Sequence, residues 1–480
     1  MILKIINHSF GYDMKNLCTM FFPQEKITDG RDDVAEENIV ISTKQEDNVL
    51  SVDAKVFDRQ LSKKHIVEEN EDTATAMSVL LYTVLQELTG FTPPWGILYG
   101  VRPAKLMHRM CGEMGEEGAR DYFINTFLAQ EKKTDLALEV MEKENKIISL
   151  SQEDSFSLYV SIPFCPTRCA YCSFVSHSIE RTKRLVEPYT DLLCKELERI
   201  GKIAKELNLR LETVYFGGGT PTTLSAPQLT KLFNTIENCF DLSHLREYTV
   251  EAGRPDTVTE DKLLALKNVG VTRISINPQT FNDSVLEAIG RKHTSRQTID
   301  AFELARKCGF DNINMDLIAG LPLDTLDSFK NSLDTAVGLD AESVTVHTLA
   351  MKSASYIVTK ENAFDFSDRL ITSDMVDYSN ETLHKNGYYP YYMYRQSKSL
   401  GNLENVGWCK DGMDCLYNVF MMDETHSVFA AGAGAVTRLK NQNTGHIERI
   451  YNYKYPYEYI DNFDEILNRK NGISDFYNEY

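Results

Sequence analysis

The sequence predicts an α/β protein built on a parallel sheet, with α+β segments at both ends. Three observations lead there. Six short apolar runs alternate with amphipathic helical patterns between Leu158 and Ala350, three cysteines crowd the loop after the first run, and a glycine triplet follows the second. At about 150 residues per domain, a chain of this length holds roughly three domains, or one barrel-sized domain with additions. The 42% hydrophobic and 25% charged fractions exclude disordered, collagen-like and coiled-coil classes. Seventy acidic against 51 basic residues leave a formal charge of −19, which repels phosphate backbones and anionic lipid unless a local basic patch overrides it. No run approaches the roughly 18 apolar residues of a membrane span, and residues 1–10 lack the features of a signal peptide. The expectation is a cytoplasmic protein whose ten cysteines serve as thiols or metal ligands rather than disulfides.

Residues 1–150 read as an α+β extension. Strands are predicted at Met1–Ile6, Asn38–Ser42 and Val49–Phe57 and a charged break at Glu68–Asp72. A helix over Thr73–Leu88 follows, with Thr73 as N-cap and Gly90 past its end. The turn-rich segment Thr92-Pro93-Pro94-Trp95-Gly96 leads into helical sequence to about Ser149, and the boundary falls at Ser151–Asp154. In residues 151–350 the predicted strands are Leu158–Pro163, Leu211–Phe216, Glu247–Glu251, Val271–Asn277, Ile313–Ile318 and Ser343–Thr348. Helical patterns near 186–207, 227–239, 259–268, 294–308 and 325–337 connect them, so the sheet is parallel. Periodicity alone fits a doubly wound sheet or an incomplete barrel. Residues 351–480 open with a helix near 366–386, then an aromatic strand at Tyr388–Tyr394 and small residues within Phe429–Leu439, an α+β domain.

Cys165, Cys169 and Cys172 lie within eight residues, directly after the first strand. Zinc would need a fourth donor, and His177 is the only near one. Three thiolates on one short loop suit an iron–sulfur cluster with one iron left open, which a chelating small molecule can occupy. Chance clustering of buried thiols is the plainest alternative.

The Cys-x3-Cys-x2-Cys loop and its lead-in Tyr159-Val160-Ser161-Ile162-Pro163-Phe164-Cys165 resemble the radical S-adenosylmethionine enzymes, within them the branch of oxygen-independent coproporphyrinogen III oxidases and heme chaperones. Phe216-Gly217-Gly218-Gly219-Thr220-Pro221-Thr222, Val250-Glu251, Arg273–Phe281 and Met315–Pro322 resemble that branch in order, and Ala433-Gly434-Ala435 resembles its C-terminal element. The resemblance implies an incomplete (β/α)6 barrel with chemistry at the C-terminal strand ends. It implies a [4Fe-4S] cluster on the three cysteines and S-adenosylmethionine against Tyr159, Tyr171, Phe174, Gly218, Gly219, Thr220, Glu251, Gln279, Arg291, Asp316 and Ala350. Core packing competes for the aromatic rings, and an internal ion pair competes for Arg291 with Asp316.

On the resemblance, the substrate is a tetrapyrrole, coproporphyrinogen III or heme, and a reductase, flavodoxin or ferredoxin supplies electrons. Two residues past Cys172 stands Phe174, where the oxidase proper has a further cysteine and the chaperone branch does not. Three functions follow: oxidative decarboxylation of coproporphyrinogen III, heme binding and delivery, or opening or alkylation of a porphyrin ring. Propionates need cations, and Arg102, Lys105, His108 and Arg109, or Arg395, are the basic candidates, against a plain solvated helix face. Cys409 with Cys415 as an auxiliary centre, and His347 and His426 as axial heme ligands, complete the candidates.

Overall fold

The computed structural model describes residues 1–23, 25–29, 38–100, 102–173, 177–351 and 369–479. They pack as two units: Met1–Met141 with Tyr394–Glu404, and Glu142–Met393 with Asn405–Tyr480.

In the first unit, alternate residues of Ile39–Glu46 and Val49–Val56 are buried, the period of a half-buried strand. The sheet runs Thr28–Asp29, Ile2–Ile6, Ile39–Glu46, Val49–Val56, Arg59–Ile66, parallel across the first three and antiparallel thereafter. Leu17 and Phe21 of the helix Gly11–Phe21, and Met77, Leu81 and Leu85 of the helix Thr73–Thr89, join Ile41, Leu50 and Val52 in one core. The strand Arg59–Ile66 and the first helix were not expected. The strand carries Arg59, Lys63 and Lys64 on a mostly exposed edge, a pattern that masks its β character. Asp72, not Thr73, caps the second helix: its carboxylate accepts from the Thr75 N–H at 2.8 Å.

The second unit is built on β1 (Ser155–Ile162), β2 (Arg210–Gly218), β3 (Glu247–Glu251), β4 (Arg273–Ser275), β5 (Ile313–Ala319) and β6 (Ser343–Thr348). They lie side by side in chain order, each parallel to the next. A doubly wound sheet reverses its order at a switch point. This one does not, so the strands form the partial barrel that the resemblance implied. Ser427–Ala431 adds a further parallel strand beside β1, which was not anticipated because its partner lies some 270 residues away. Glu404–Cys409 pairs antiparallel with β6.

The strand period sorts the side chains. Leu158, Val160, Val214, Phe216, Val250, Ile274, Met315, Leu317, Val344 and Val346 are buried and apolar. The alternate set is polar: Ser157, Tyr159 and Ser161 on β1, Thr213 and Tyr215 on β2, Glu247, Thr249 and Glu251 on β3, Arg273 and Ser275 on β4, Asn314 and Asp316 on β5, Thr345 and His347 on β6. Their registers align across the sheet (Tyr159 opposite Tyr215, Tyr215 opposite Thr249, Glu251 opposite Ser275), so they share its concave face. Several of these polar groups hydrogen-bond one another, as Thr213 Oγ1 does to Ser157 Oγ at 2.7 Å and Thr345 Oγ1 to Asn314 Oδ1 at 3.0 Å.

A fully buried ion pair fixes the C-terminal segment to this barrel. Lys470 Nζ lies 3.0 Å from Glu196 Oε1, and Glu196 also accepts from the Gly432 N–H at 2.8 Å, Tyr459 Oη at 2.6 Å and Asn452 Nδ2 at 2.7 Å. The turn so held bonds β1 directly: Ser161 Oγ donates to Ala433 O at 2.9 Å. Gly432, at φ +97, must be glycine, since a Cβ would lie 2.5 Å from Ser161 O. Lys470→Met strands the Glu196 carboxylate in the interior and is expected to destabilise the protein by about 3–5 kcal/mol in urea unfolding; a loss below about 1 kcal/mol contradicts this assignment.

Candidate functional site

The site is assembled at the C-terminal ends of the barrel strands. β1 runs into the strand Phe164–Cys165, which pairs with His177–Ser178 and closes the base of the cysteine loop. The loop is pinned at its far side too: the Ala170 N–H donates to Ile289 O at 2.9 Å, and Thr167 Oγ1 donates to Gly290 O at 3.0 Å. The glycine run of β2 presses on its base. The Gly219 N–H donates to Ile162 O at 2.7 Å and the Thr220 N–H to Phe164 O at 2.8 Å. A Cβ on Gly219 would stand 2.6 Å from Phe164 O and 3.0 Å from Cys165 Sγ; Gly218 has φ +101. Cys165 Sγ itself lies 3.4 Å from Thr220 Oγ1.

Cys165 and Cys172 are partly buried and Cys169 is buried. Among the described residues no three His, Cys, Asp or Glu side chains gather closely enough to hold one metal ion. A cuboidal cluster takes a different iron on each thiolate, so its ligands need not converge on one point. His177, the remaining zinc donor considered, turns its ring edge-on to Tyr455 and Tyr457, with centroids 5.8 and 6.3 Å away. Phe174 lies outside the described residues.

Glu251 ends β3 beneath the glycine run: a Cβ on Gly217 would lie 3.2 Å from Glu251 Oε1 and 3.2 Å from the Tyr159 ring. Tyr215 Oη donates to Glu251 Oε1 at 2.7 Å. Tyr215 stacks on Tyr417 at 4.4 Å, and Tyr159 stacks at 6.2 and 6.1 Å from the two. Burial pushes the Glu251 carboxyl up to about 7; the Tyr215 hydrogen bond works against that, and the charge of Asp316 adds to it. Asp316 goes the other way. Burial would raise it, but His347, Asn314 and Arg273 together outweigh burial and hold it below the usual carboxylate range. His347 Nε2 stands 3.7 Å from Asp316 Oδ2, and Asn314 Nδ2 donates to Asp316 Oδ1 at 2.7 Å.

Gln279 crosses the gap between β4 and β5 with its backbone: its N–H donates to Asp316 O at 2.8 Å and its carbonyl accepts from the Ile318 N–H at 3.0 Å. It does so at φ +67, a left-handed conformation that a glutamine holds only where its surroundings impose it. Arg291 is buried and donates to the Asn277, Pro278 and Gly253 carbonyls. It therefore does not pair with Asp316. Burial disfavours its charge, yet Tyr171 and the Cys169 thiol beside it hold the guanidinium protonated. Burial drives the Tyr171 phenol well above its usual range, against the pull of Arg291. Ala350 lies two residues beyond β6.

Arg254 escaped the sequence reading. It is buried three residues past β3, clamped by Asp256, and reaches Cys169. The run Ala252-Gly253-Arg254-Pro255-Asp256 offers only a turn signal.

The secondary candidates disperse. Arg395 is buried, donating to the Leu98, Gly100 and Asn402 carbonyls, and burial lowers its guanidinium to about 10, against the pull of Glu404. It pins its own unit rather than offering a free cation. Lys105, His108 and Arg109 are exposed on the helix Pro103–Asp121, with Arg109 facing Glu113 at 3.8 Å, a solvated face; Arg102 is half-buried. Cys409 and Cys415 bond Asp414 and Glu247; Glu247 begins β3 and Cys409 pairs with Ser343 at the start of β6, the end away from the cysteine loop. His426 has both nitrogens engaged, by Ser151 at 2.7 Å and Ser157 at 2.8 Å. Burial, then Arg438 and Lys440, hold it neutral with a pKa of about 3. No nitrogen is left on it for heme iron.

The chain is similar to known proteins. The Radical SAM superfamily matches residues 159–336. Over 470 residues the chain is 35% identical to the oxygen-independent coproporphyrinogen-III oxidase-like protein HemZ of Bacillus subtilis, across 95% of this chain and 94% of the relative. It is 34% identical over 310 residues to the heme chaperone HemW of Bacillus subtilis, across 63% of this chain and 77% of that one. Among solved structures, the radical SAM enzyme coproporphyrinogen III oxidase HemN from Escherichia coli aligns with a TM-score of 0.52, covering 67% of this chain and 71% of that one at 22% identity, a likeness of fold.

Gly219→Ala forces a Cβ onto two backbone carbonyls that have no room to yield, and is expected to destabilise the protein by about 1–3 kcal/mol. At Gly338, a Cβ meets nothing within 4 Å, so Gly338→Ala is expected to be neutral or stabilising in the same urea titration. Equal effects at the two positions contradict the close approach.

Proposed function

We propose that this chain, which belongs to the radical SAM superfamily in its branch of oxygen-independent coproporphyrinogen III oxidase-like proteins, acts on a tetrapyrrole, in the oxidative decarboxylation of coproporphyrinogen III to protoporphyrinogen IX. Its cofactors are a [4Fe-4S] cluster and S-adenosylmethionine. The observation that carries the radical chemistry is the meeting, at one rim of the barrel, of a three-cysteine loop, a glycine run pressed onto its base and the buried carboxyl of Glu251. The end-to-end similarity to an oxidase-like relative supports the tetrapyrrole. In this reading residues 151–350 are the catalytic core, 351–480 its tetrapyrrole-branch partner and 1–150 an extension.

The donor set fits the cofactors. Cys165, Cys169 and Cys172 would each hold one iron and leave a fourth to S-adenosylmethionine. Gly218, Gly219 and Thr220 would bring backbone to its methionine moiety, Tyr171 would shield the loop from water, and Tyr159, Glu251, Gln279, Arg291, Asp316 and Ala350 would complete the lining. The chemistry the bound pair supplies is hydrogen-atom abstraction by a 5′-deoxyadenosyl radical. The chain's own part is binding and exclusion. The stacked rings of Tyr159, Tyr215 and Tyr417 close the barrel with apolar surface beside Glu251, which keeps water from the reacting carbon. Glu251 holds a proton at its carboxyl below about pH 7 and presents a carboxylate to the ligand's ammonium or ribose above it.

The chaperone reading draws on the HemW relative and on Phe174. Anaerobic incubation of the reconstituted protein with coproporphyrinogen III, a one-electron reductant and S-adenosylmethionine decides between them. We expect carbon dioxide and a divinyl product by mass spectrometry; stoichiometric heme uptake without turnover would favour the chaperone.

Glu251 gives a pH test. Its carboxyl must ionise to meet an ammonium, so affinity for S-adenosylmethionine rises from about pH 6 to about pH 7.5. Glu251→Gln is expected to weaken binding and flatten that rise in isothermal titration calorimetry. A wild-type affinity that does not change over this interval contradicts the role.

A further inference from the structure

We propose that Arg254 is a positioning residue that binds the Cys169 sulfur and raises the reduction potential of the cluster on the cysteine loop. The inference rests on the ligand assignment above. Arg254 is buried, at 3% exposure, and leaves the barrel three residues after β3.

Its orientation is set by Asp256. Nε donates to Oδ1 at 3.0 Å and Nη2 to Oδ2 at 3.1 Å, the two-pronged fork of a guanidinium on a carboxylate. That grip fixes the plane and leaves Nη1 with both its hydrogens directed away from Asp256. They meet the cysteine loop: Nη1 stands 3.1 Å from Thr167 Oγ1, 3.4 Å from Thr167 O and 3.8 Å from Cys169 Sγ. One side chain thus ties the strand end to the loop backbone and to a thiol two residues on.

The surroundings make the charge count. The charge of Arg291 acts on the same thiol from its own loop. His293 is buried within reach of both charges, and neither ring nitrogen is bonded among the described residues. Burial and the charges of Arg291 and Arg254 lower it to about 3, so it adds no charge of its own. Two guanidinium charges therefore act on Cys169, and Asp256 is the carboxylate paired with Arg254. A donor on a ligating sulfur withdraws electron density, and a buried cation stabilises the added electron of the reduced cluster. Both raise the potential. Lysine keeps the charge but cannot grip Asp256 with a planar fork, so it aims its charge poorly at the sulfur.

The test is an anaerobic redox titration of the full chain, reconstituted with iron and sulfide, followed by electron paramagnetic resonance without S-adenosylmethionine. Arg254→Gln is expected to keep its iron and to need a potential lower by about 60 mV for half-reduction, a tenfold change in a one-electron equilibrium. Arg254→Lys is expected to fall between Gln and wild type. Unchanged midpoints in iron-loaded variants overturn the proposal, leaving Arg254 a loop anchor. Iron lost from both variants overturns it too, because the residue would then build the site rather than tune it. A wild-type chain that takes up no cluster refutes the ligand assignment, and this inference with it; a loaded wild type with unshifted variants refutes this inference alone.

Discussion

The site depends on how closely two backbones approach one another. Gly219 lies against the carbonyls of Ile162 and Phe164, with no room for even a methyl group. Two N–H groups, from Gly219 and Thr220, satisfy those carbonyls, so the contact is hydrogen-bonded as well as tight. The position of Cys165 follows from it, because the cysteine is the next residue in the chain. The far side of the loop is fixed by the Ile289–Gly290 turn and by Arg254, so a segment with little regular structure is held at three places. A loop fixed in this way can keep three thiols apart and ready, instead of letting them collapse onto one another.

A second constraint is the polar concave face. Barrel interiors of this kind are commonly filled with branched apolar side chains; here alternate positions carry carboxylates, amides, hydroxyls and guanidinium. Burial of so many polar groups is tolerable only where they bond to each other, as Glu247 does to Cys415 and the Leu416 N–H, and Glu251 to Tyr215. The two mouth carboxyls then divide the work. Asp316 is kept ionised by its neighbours, while Glu251 is held near neutrality, where a bound cation changes its state. The polar face thus presents one fixed charge on β5 and one adjustable charge at the end of β3.

Much of this was legible before any coordinates. The cysteine spacing, the glycine triplet and the strand ends are local signals, carried by consecutive residues, and β3 and β6 fell where expected to the residue. The choice between barrel and doubly wound sheet was not legible, because it resides in strand order. Nor was the pairing of Ser427–Ala431 with β1, a contact between distant parts of the chain. Val271–Asn277 was expected as one strand and only Arg273–Ser275 is; beyond it the backbone bonds β5 at Gln279 in a left-handed conformation that regular strand does not adopt. Charged and imidazole side chains misled most. Arg395 and His426 look like ligand groups in a list of residues, and each is consumed by hydrogen bonds inside its own unit. Arg254 looked like nothing, and it touches a proposed ligand.

The central claim is that Cys165, Cys169 and Cys172 hold a cluster with one iron open to S-adenosylmethionine. Its most direct test is the electron paramagnetic resonance spectrum of the reconstituted, reduced protein before and after that molecule is added. The account predicts a [4Fe-4S] signal whose g-values shift on addition, and its loss in Cys169→Ala. A protein without iron, or a cluster signal that the addition leaves unaltered, would contradict it.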